Sequence, residues 1–244
     1  MQIIKNYVDY IYAAEYNGGI VFMFAYPYTP YKDVTVDAYY LASHKCYALC
    51  KQIIDALREA GYEAAHANDV PLKPLAVKSG LAYKIGRNGL AYHKGYGSRF
   101  CIGAIKIAML NARCSALNES QEKISINSDS HCALCAAHCA LACPAQAIGE
   151  TKPDYTQCLR EHMNNPEIMS VDSIRSLGGR VLGCDICQRA CPCNSGEYTD
   201  MPPELAEACK DLTDPQNIKK LTALVGHNIA RTNRIKRLAG VGKK

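Results

Sequence analysis

The chain has 244 residues, with 28 lysines and arginines against 23 aspartates and glutamates, and 14 cysteines. That length builds a substantial hydrophobic core with a smaller module beside it, so no metal is needed merely to compensate for small size. Fourteen cysteines would suit a secreted disulfide framework, but no basic segment followed by an apolar stretch and a small-residue cleavage site opens the sequence, and its longest apolar runs are too short to span a bilayer; a reducing, cytoplasmic setting without a membrane is the expectation.

The apolar run ending at Tyr26 predicts a strand from about Gly19, stopped by Pro27 and Pro30. From about Val34 to Ala60, Leu41, Cys46, Cys50, Ile53, Ile54 and Leu57 recur at spacings near three and four, which predicts a helix closed by Gly61. Tyr62 to Ala67 predicts a short strand, and strand, helix and strand together make an α/β unit. Asn68, Asp69 and Pro71 interrupt it where a ligand-facing loop often sits. Pro71 to Ser79 predicts a short helix ended by Gly80. Glycines at 80, 86, 89, 95 and 97 then imply tight turns or close approach to a bulky ligand, although Gly95 and Gly97 do not complete a dinucleotide fingerprint. Arg99 to Leu110 predicts another strand. Residues 117–130 read as a surface connection with a short strand at Ile124 to Ile126, and residues 204–211, 215–224 and 227–238 read as helices.

From Gln216 to Lys244 there is no acidic residue, while Lys219, Lys220, Arg231, Arg234, Lys236, Arg237, Lys243 and Lys244 are basic. Such a tail suits RNA phosphate, an acidic redox partner or the negative charge of the protein's own clusters; a plain solvated helix face is the other reading.

The chemistry is concentrated in one array: Cys132-x2-Cys135-x3-Cys139-x3-Cys143-Pro144, then Cys158, then Cys184-x2-Cys187-x3-Cys191-Pro192. A cubane needs four soft ligands around one core, and short Cys-x2-Cys turns aim adjacent thiolates at it. Eight thiolates with two Cys-Pro endings suit two 4Fe-4S clusters, with structural zinc as the alternative. In two-cluster modules the cysteine before proline crosses to the other cluster. Applied here, Cys132, Cys135, Cys139 and Cys191 make one set, and Cys143, Cys158, Cys184 and Cys187 make the other. The gap Ala136-Ala137-His138 is one residue longer than in the bacterial run, which a bulge or an altered helix start would absorb. His131 and His138 read as neighbours of the clusters or surface residues. The fold expected is α/β (α+β): an α/β domain over residues 1–128, a ferredoxin-like double-cluster module over 129–195, and a helical basic segment over 196–244.

The segment Gly183-Cys-Asp-Ile-Cys-Gln-Arg-Ala-Cys-Pro-Cys-Asn194 resembles the second cluster motif of epoxyqueuosine reductases and related corrinoid-dependent reductases. Pro71 to Leu90, followed by Gly95-Tyr-Gly-Ser-Arg99, resembles their cobalamin-side region, so the likeness covers roughly residues 70–194. It implies a cobalamin held near two 4Fe-4S clusters that deliver electrons one at a time to cobalt, with Gly80, Tyr83, Gly86, Arg87, Asn88, Gly97 and Ser98 on the corrin side. Asp69 is the nearest match to the family's catalytic acid and hence a proton-donor candidate, a structural loop cap being the other reading. Tyr83 stands where the family has a tryptophan, as does Cys193 after Cys-Pro. The resemblance also implies a low-potential electron donor such as ferredoxin or flavodoxin, and a tRNA or small-molecule substrate. Three functions compete: a cobalamin-dependent iron-sulfur reductase, a ferredoxin-like electron carrier or redox regulator without a corrinoid, and an RNA-binding protein using the basic tail.

Overall fold

A computed structural model of the chain describes residues 2–108, 132, 135–194, 196–227 and 229–242. The chain divides into two compact units. Of the described residues, unit 1 takes those up to Pro27, those of Lys45–Gly86 and those of Leu90–Ala133; unit 2 takes those of Tyr28–His44, those of Arg87–Gly89 and those from Leu134 onward. The expected strand at Ile124 to Ile126, together with Cys114 and His131, lies outside the described residues.

The first part of the chain runs α1 Gln2–Lys5, β1 Tyr12–Tyr16, β2 Gly19–Pro27, α2 Ala38–Glu59, β3 Ala64–His66, α3 Leu72–Lys78, β4 Lys84–Ile85, β5 Ala91–Tyr92 and β6 Phe100–Ala108. Unit 1 contains a four-stranded sheet in the order β1-β2-β6-β3 and a small β4-β5 hairpin. Asn17 and Gly18 turn β1 onto β2 with φ of +48° and +73°, a pair of positive angles that asparagine and glycine tolerate and that matches the strand twist. Both β2 and β3 pair antiparallel with β6. They therefore run parallel to each other with β6 between them, so the strand, helix and strand read from sequence form a split crossover rather than an adjacent parallel pair.

β2 shows no polar alternation because both of its faces are covered. Val21 and Met23 pack with Leu75, Ala76, Leu81 and Phe100, while Ile20, Phe22 and Phe24 are buried on the opposite side. Each such side chain stabilises the unit by about 1.5–3 kcal/mol relative to exposure. All six periodic positions predicted for α2 are buried. That helix begins where Asp37 Oδ1 accepts the Tyr39 N–H at 3.0 Å, four residues later than the apolar spacing suggested. It closes with the Tyr62 N–H on Leu57 O at 3.0 Å.

Unit 2 is built from short helices: α4 His138–Leu141, α5 Leu159–His162, α6 Val171–Arg175, α7 Ile186–Arg189, α8 Pro203–Cys209, α9 Pro215–Val225 and α10 Thr232–Gly242. Leu159, Leu177, Leu182, Leu205, Leu221 and Ile235 belong to its core. The basic C-terminal segment is partly structural. Arg234 Nη1 donates to Asn164 Oδ1 at 3.1 Å, and Arg237 Nε donates to Pro166 O at 3.0 Å, so these two cations tie α10 to the turn after α5. Among the described residues, no helix is long and apolar enough to cross a membrane.

Candidate metal centre

No disulfide joins any of the cysteines among the described residues. In unit 2 the thiols are set by turns and one-turn helices. α4 carries Cys139, and the residue before it, Ala137, takes φ +55° and ψ +33°. This left-handed residue lies within the Cys135-x3-Cys139 gap and starts the helix that carries Cys139. An alanine Cβ crowds the backbone there, at a cost of about 1–2 kcal/mol. Ala137→Gly is therefore expected to stabilise the unit by about 1 kcal/mol in urea unfolding. An unchanged midpoint would mean that the turn relaxes without help.

After α4 the chain turns at Cys143, whose sulfur accepts the Ala147 N–H at 3.4 Å. Cys158 is the extended residue that precedes α5. Cys184 precedes α7 and Cys187 lies within it, and α7 packs against α4. Cys191 follows α7, where Asn194 Nδ2 donates to Gln188 O at 2.8 Å and fixes the turn.

Electrostatics show how far these thiols converge. Burial pushes the Cys187 thiol up to about 12, and Cys184, Cys139, Cys158 and Cys143 push in the same direction. Burial likewise pushes Cys184 up to about 11, against the Ile186 N–H and the Arg180 cation, which favour the thiolate. Cys187 thus has four other cysteines in its electrostatic surroundings, and several thiolates held there would need a compensating cation. A cationic iron-sulfide core supplies that charge, and soft thiolates are its preferred ligands, so this donor set fits a 4Fe-4S cluster. Among the described residues, no three His, Cys, Asp or Glu side chains lie close enough together to hold a single metal ion. A cubane makes a different demand, because each of its four thiolates binds a different iron.

The thiols rest on an ionic node. Asp185 Oδ1 accepts from Arg180 Nε at 2.9 Å, and Asp185 Oδ2 accepts from Arg189 Nε at 2.5 Å. Arg189 Nη2 also donates to Tyr31 O at 2.8 Å. Nearby, Arg160 lies over the Tyr39 and Tyr40 rings at 4.8 and 5.5 Å from their centroids. Burial raises the Asp37 carboxyl to about 6, and the Asp185 charge adds to the shift, while the Tyr39 N–H, Arg160 and Arg189 oppose it.

The folded state therefore holds the Asp37 proton more tightly than the unfolded chain does. Stability from this group is complete below the unfolded value and falls as pH rises through about 6. Asp37→Asn keeps the carbonyl that caps α2 and removes the titration. Relative to the parent protein, the variant is expected to gain on the order of 1 kcal/mol between about pH 5 and about pH 8. Urea unfolding at both pH values checks this; equal differences would assign the slope to another group.

The residues expected to face a corrin are placed differently. Gly86 N–H donates to Leu90 O at 2.8 Å and closes the β4-β5 hairpin, and Gly97 exchanges backbone hydrogen bonds with His93. Asn88 and Ser98 are buried and have partners within the protein. At Gly89, φ is +73° and an added Cβ would lie 2.4 Å from the Tyr155 hydroxyl and 2.9 Å from Pro153, so its missing side chain makes room for protein. Arg87 is half-buried, Tyr83 stands edge-on to Tyr92, and Gly80 ends α3 with its N–H on Val77 O. Unit 1 carries a cavity of about 620 Å3 lined by Arg58, Tyr62, His66, Asp69 and Lys106 among others, and none of these glycines lines it. In the described residues these positions are engaged by contacts within the protein. Asp69 is exposed, with Lys106 Nζ 2.9 Å from its Oδ2. That hydrogen bond holds its carboxyl below the usual range, leaving an ionised group that suits ion pairing better than proton donation.

Sequence reading did not single out Lys84 or Asp185. Lys84 is buried, with Nζ 3.5 Å from Cys132 Sγ, and Asp185 lies between Cys184 and Cys187.

Residues 131–194 match the family model of a 4Fe-4S double cluster binding domain. The chain is similar to the epoxyqueuosine reductase of Lactococcus garvieae, at 30% identity over 143 residues that make up 58% of this chain and 37% of the relative. The fold resembles that of the epoxyqueuosine reductase of Streptococcus thermophilus, with a TM-score of 0.64 at 21% identity over 92% of this chain and 63% of that one. It also resembles an epoxyqueuosine reductase solved with a tRNA-Tyr epoxyqueuosine-modified tRNA stem loop, with a TM-score of 0.59 at 16% identity over 92% and 63%. This is the mixed α/β fold of epoxyqueuosine-reductase-like structures. The chain spans 37% of the curated relative and 63% of each solved one.

Proposed function

We propose that this chain is an iron-sulfur oxidoreductase that uses two 4Fe-4S clusters to pass electrons to a bound cobalamin for reduction of a substrate. Cys132, Cys135, Cys139 and Cys191 would hold one cluster, and Cys143, Cys158, Cys184 and Cys187 the other. The observation that carries the reading is the set of cysteines whose charges act on Cys187 within a segment that matches a double-cluster model. When bound, the clusters supply one-electron storage and transfer. The chain's own residues bury the thiols, orient them through α4 and α7, and set the charge around them. The cobalamin arm and the reductase activity are supported by similarity to epoxyqueuosine reductases. A low-potential carrier such as ferredoxin or flavodoxin would be the electron source. An RNA substrate is supported by the tRNA-bound relative and by the basic residues of α9 and α10 that point away from the core, Lys219 and Lys220 among them.

A second reading, an electron carrier without a corrinoid, is favoured by the packing of Gly89 against Tyr155 and by the internal partners of Asn88 and Ser98. An anaerobic visible-spectrum titration of the iron-loaded protein with cob(II)alamin separates the two. A saturable one-to-one change supports the corrinoid enzyme. An unchanged corrin spectrum, with clusters that bleach on reduction, supports the carrier.

A further inference from the structure

Lys84 is only 4% exposed, which is rare for a lysine because an ammonium taken from water must be compensated. Among the described residues, three side chains lie against its ammonium. Nζ lies 3.5 Å from Cys132 Sγ, 5.5 Å from the Tyr83 ring centroid and 5.1 Å from the Tyr92 ring centroid. Lys84 and Tyr92 are register partners in the β4-β5 hairpin, so the backbone fixes the ammonium against that ring. Both rings lie within cation-π range, yet two aromatic faces supply only part of what water gave.

The third of these side chains offers sulfur. A neutral thiol is a weak acceptor, whereas a metal-bound thiolate carries negative charge and makes a strong charge-assisted partner. We propose that Lys84 is a positioning residue for the cluster to which Cys132 belongs: its ammonium donates a hydrogen bond to the Cys132 thiolate and raises that cluster's reduction potential above the value the thiolates alone would give. This rests on the reading of Cys132 as a cluster ligand. The physics is direct. Reduction adds one electron to a cage already made negative by its thiolates, and a buried cation with an N–H aimed at a ligand sulfur stabilises the reduced state more than the oxidised one. In the dry surroundings of the hairpin that charge is weakly screened. Electrons shared between the two clusters would then rest preferentially on the Cys132 cluster.

The test is an anaerobic dithionite titration of the iron-loaded protein, followed by electron paramagnetic resonance, on the parent chain and on Lys84→Met and Lys84→Arg, with iron and acid-labile sulfide measured for each. The expected result is that Lys84→Met shifts one reduction step to lower potential and leaves the other in place, while Lys84→Arg restores the parent value. If Lys84→Met does not retain its iron, Lys84→Gln, which is neutral but polar, takes its place in the comparison. Full cluster content with neither step moved, both steps moved equally, or an arginine variant displaced as far as the methionine one would each overturn the role of Lys84 and leave the iron-sulfur reading intact. A parent protein that binds no iron and sulfide would overturn that reading, and the role of Lys84 with it.

Discussion

Asp185→Ala is expected to lower the unfolding free energy of unit 2 by about 3–5 kcal/mol, because it strands two buried guanidinium groups at once. The carboxylate is 6% exposed, and its partners Arg180 and Arg189 are 10% and 20% exposed, so water does not readily take its place. It also joins separate stretches of chain. Arg180 reaches back to Leu177 O at 3.1 Å, and Arg189 reaches Tyr31 O at 2.8 Å. One compensation runs the other way: Asp185 is among the causes that raise Asp37, so its removal relieves that repulsion. The loss for Asp185→Ala should therefore not add to the effect of Asp37→Asn, and a double-mutant cycle in urea should show a coupling of roughly 0.5–3 kcal/mol. A loss below about 1 kcal/mol for Asp185→Ala alone would mean that the node is dispensable and that apolar packing alone holds α7.

The parts of this architecture that could be read in the sequence are those written in local periodicity. The spacing of Leu41, Cys46, Cys50, Ile53, Ile54 and Leu57 marks one face of α2, and the apolar run around Phe22 marks a doubly covered strand. Asn17-Gly18 is a hairpin signal that marks the turn from β1 into β2, whereas Tyr12–Tyr16 has only one fully buried position and does not announce a strand by itself. The one-turn helices α4, α5 and α7 are too short to show a period, and their positions follow from cysteine spacing and turn chemistry instead. Strand order was hidden for a different reason. β6 enters between β2 and β3 long after both in the chain, and nothing local to either announces it.

The candidate site divides in the same way. Thiol spacing is a local signal, so the ligand candidates were visible. Their supports are not local: Lys84 meets Cys132 across 48 positions, and Arg189 meets Tyr31 across 158. A lysine in a glycine-rich segment and an aspartate between two cysteines look like solvated spacers until the fold buries them. The glycines show the converse error. Gly89 reads as room for a ligand, and the fold spends that room on Tyr155.

Cys158→Ala carries the other large expected effect, the loss of one cluster with the other kept. Cys158 stands apart from both short-spaced runs, at the residue before α5, and its sulfur is among those that act on Cys184 and on Cys187. A cubane needs four protein ligands, so deleting one member of the Cys143, Cys158, Cys184 and Cys187 set should take iron from about eight atoms per chain to about four, with acid-labile sulfide falling in parallel. Cys46→Ala is the matched control. Its thiol is buried in α2, where it donates to Cys50, and removing it should leave iron unchanged at a modest cost in packing. The cysteine before each proline then tests the crossing of ligands. Under the proposed sets, Cys143→Ala and Cys158→Ala should abolish the same reduction step, and Cys191→Ala should abolish the other. If Cys158→Ala keeps all its iron, the second set is wrong and Cys193 becomes the next thiol to examine. If every single replacement removes all the iron, the thiols serve one interdependent assembly rather than two separable clusters, and the division by Cys-Pro crossing fails.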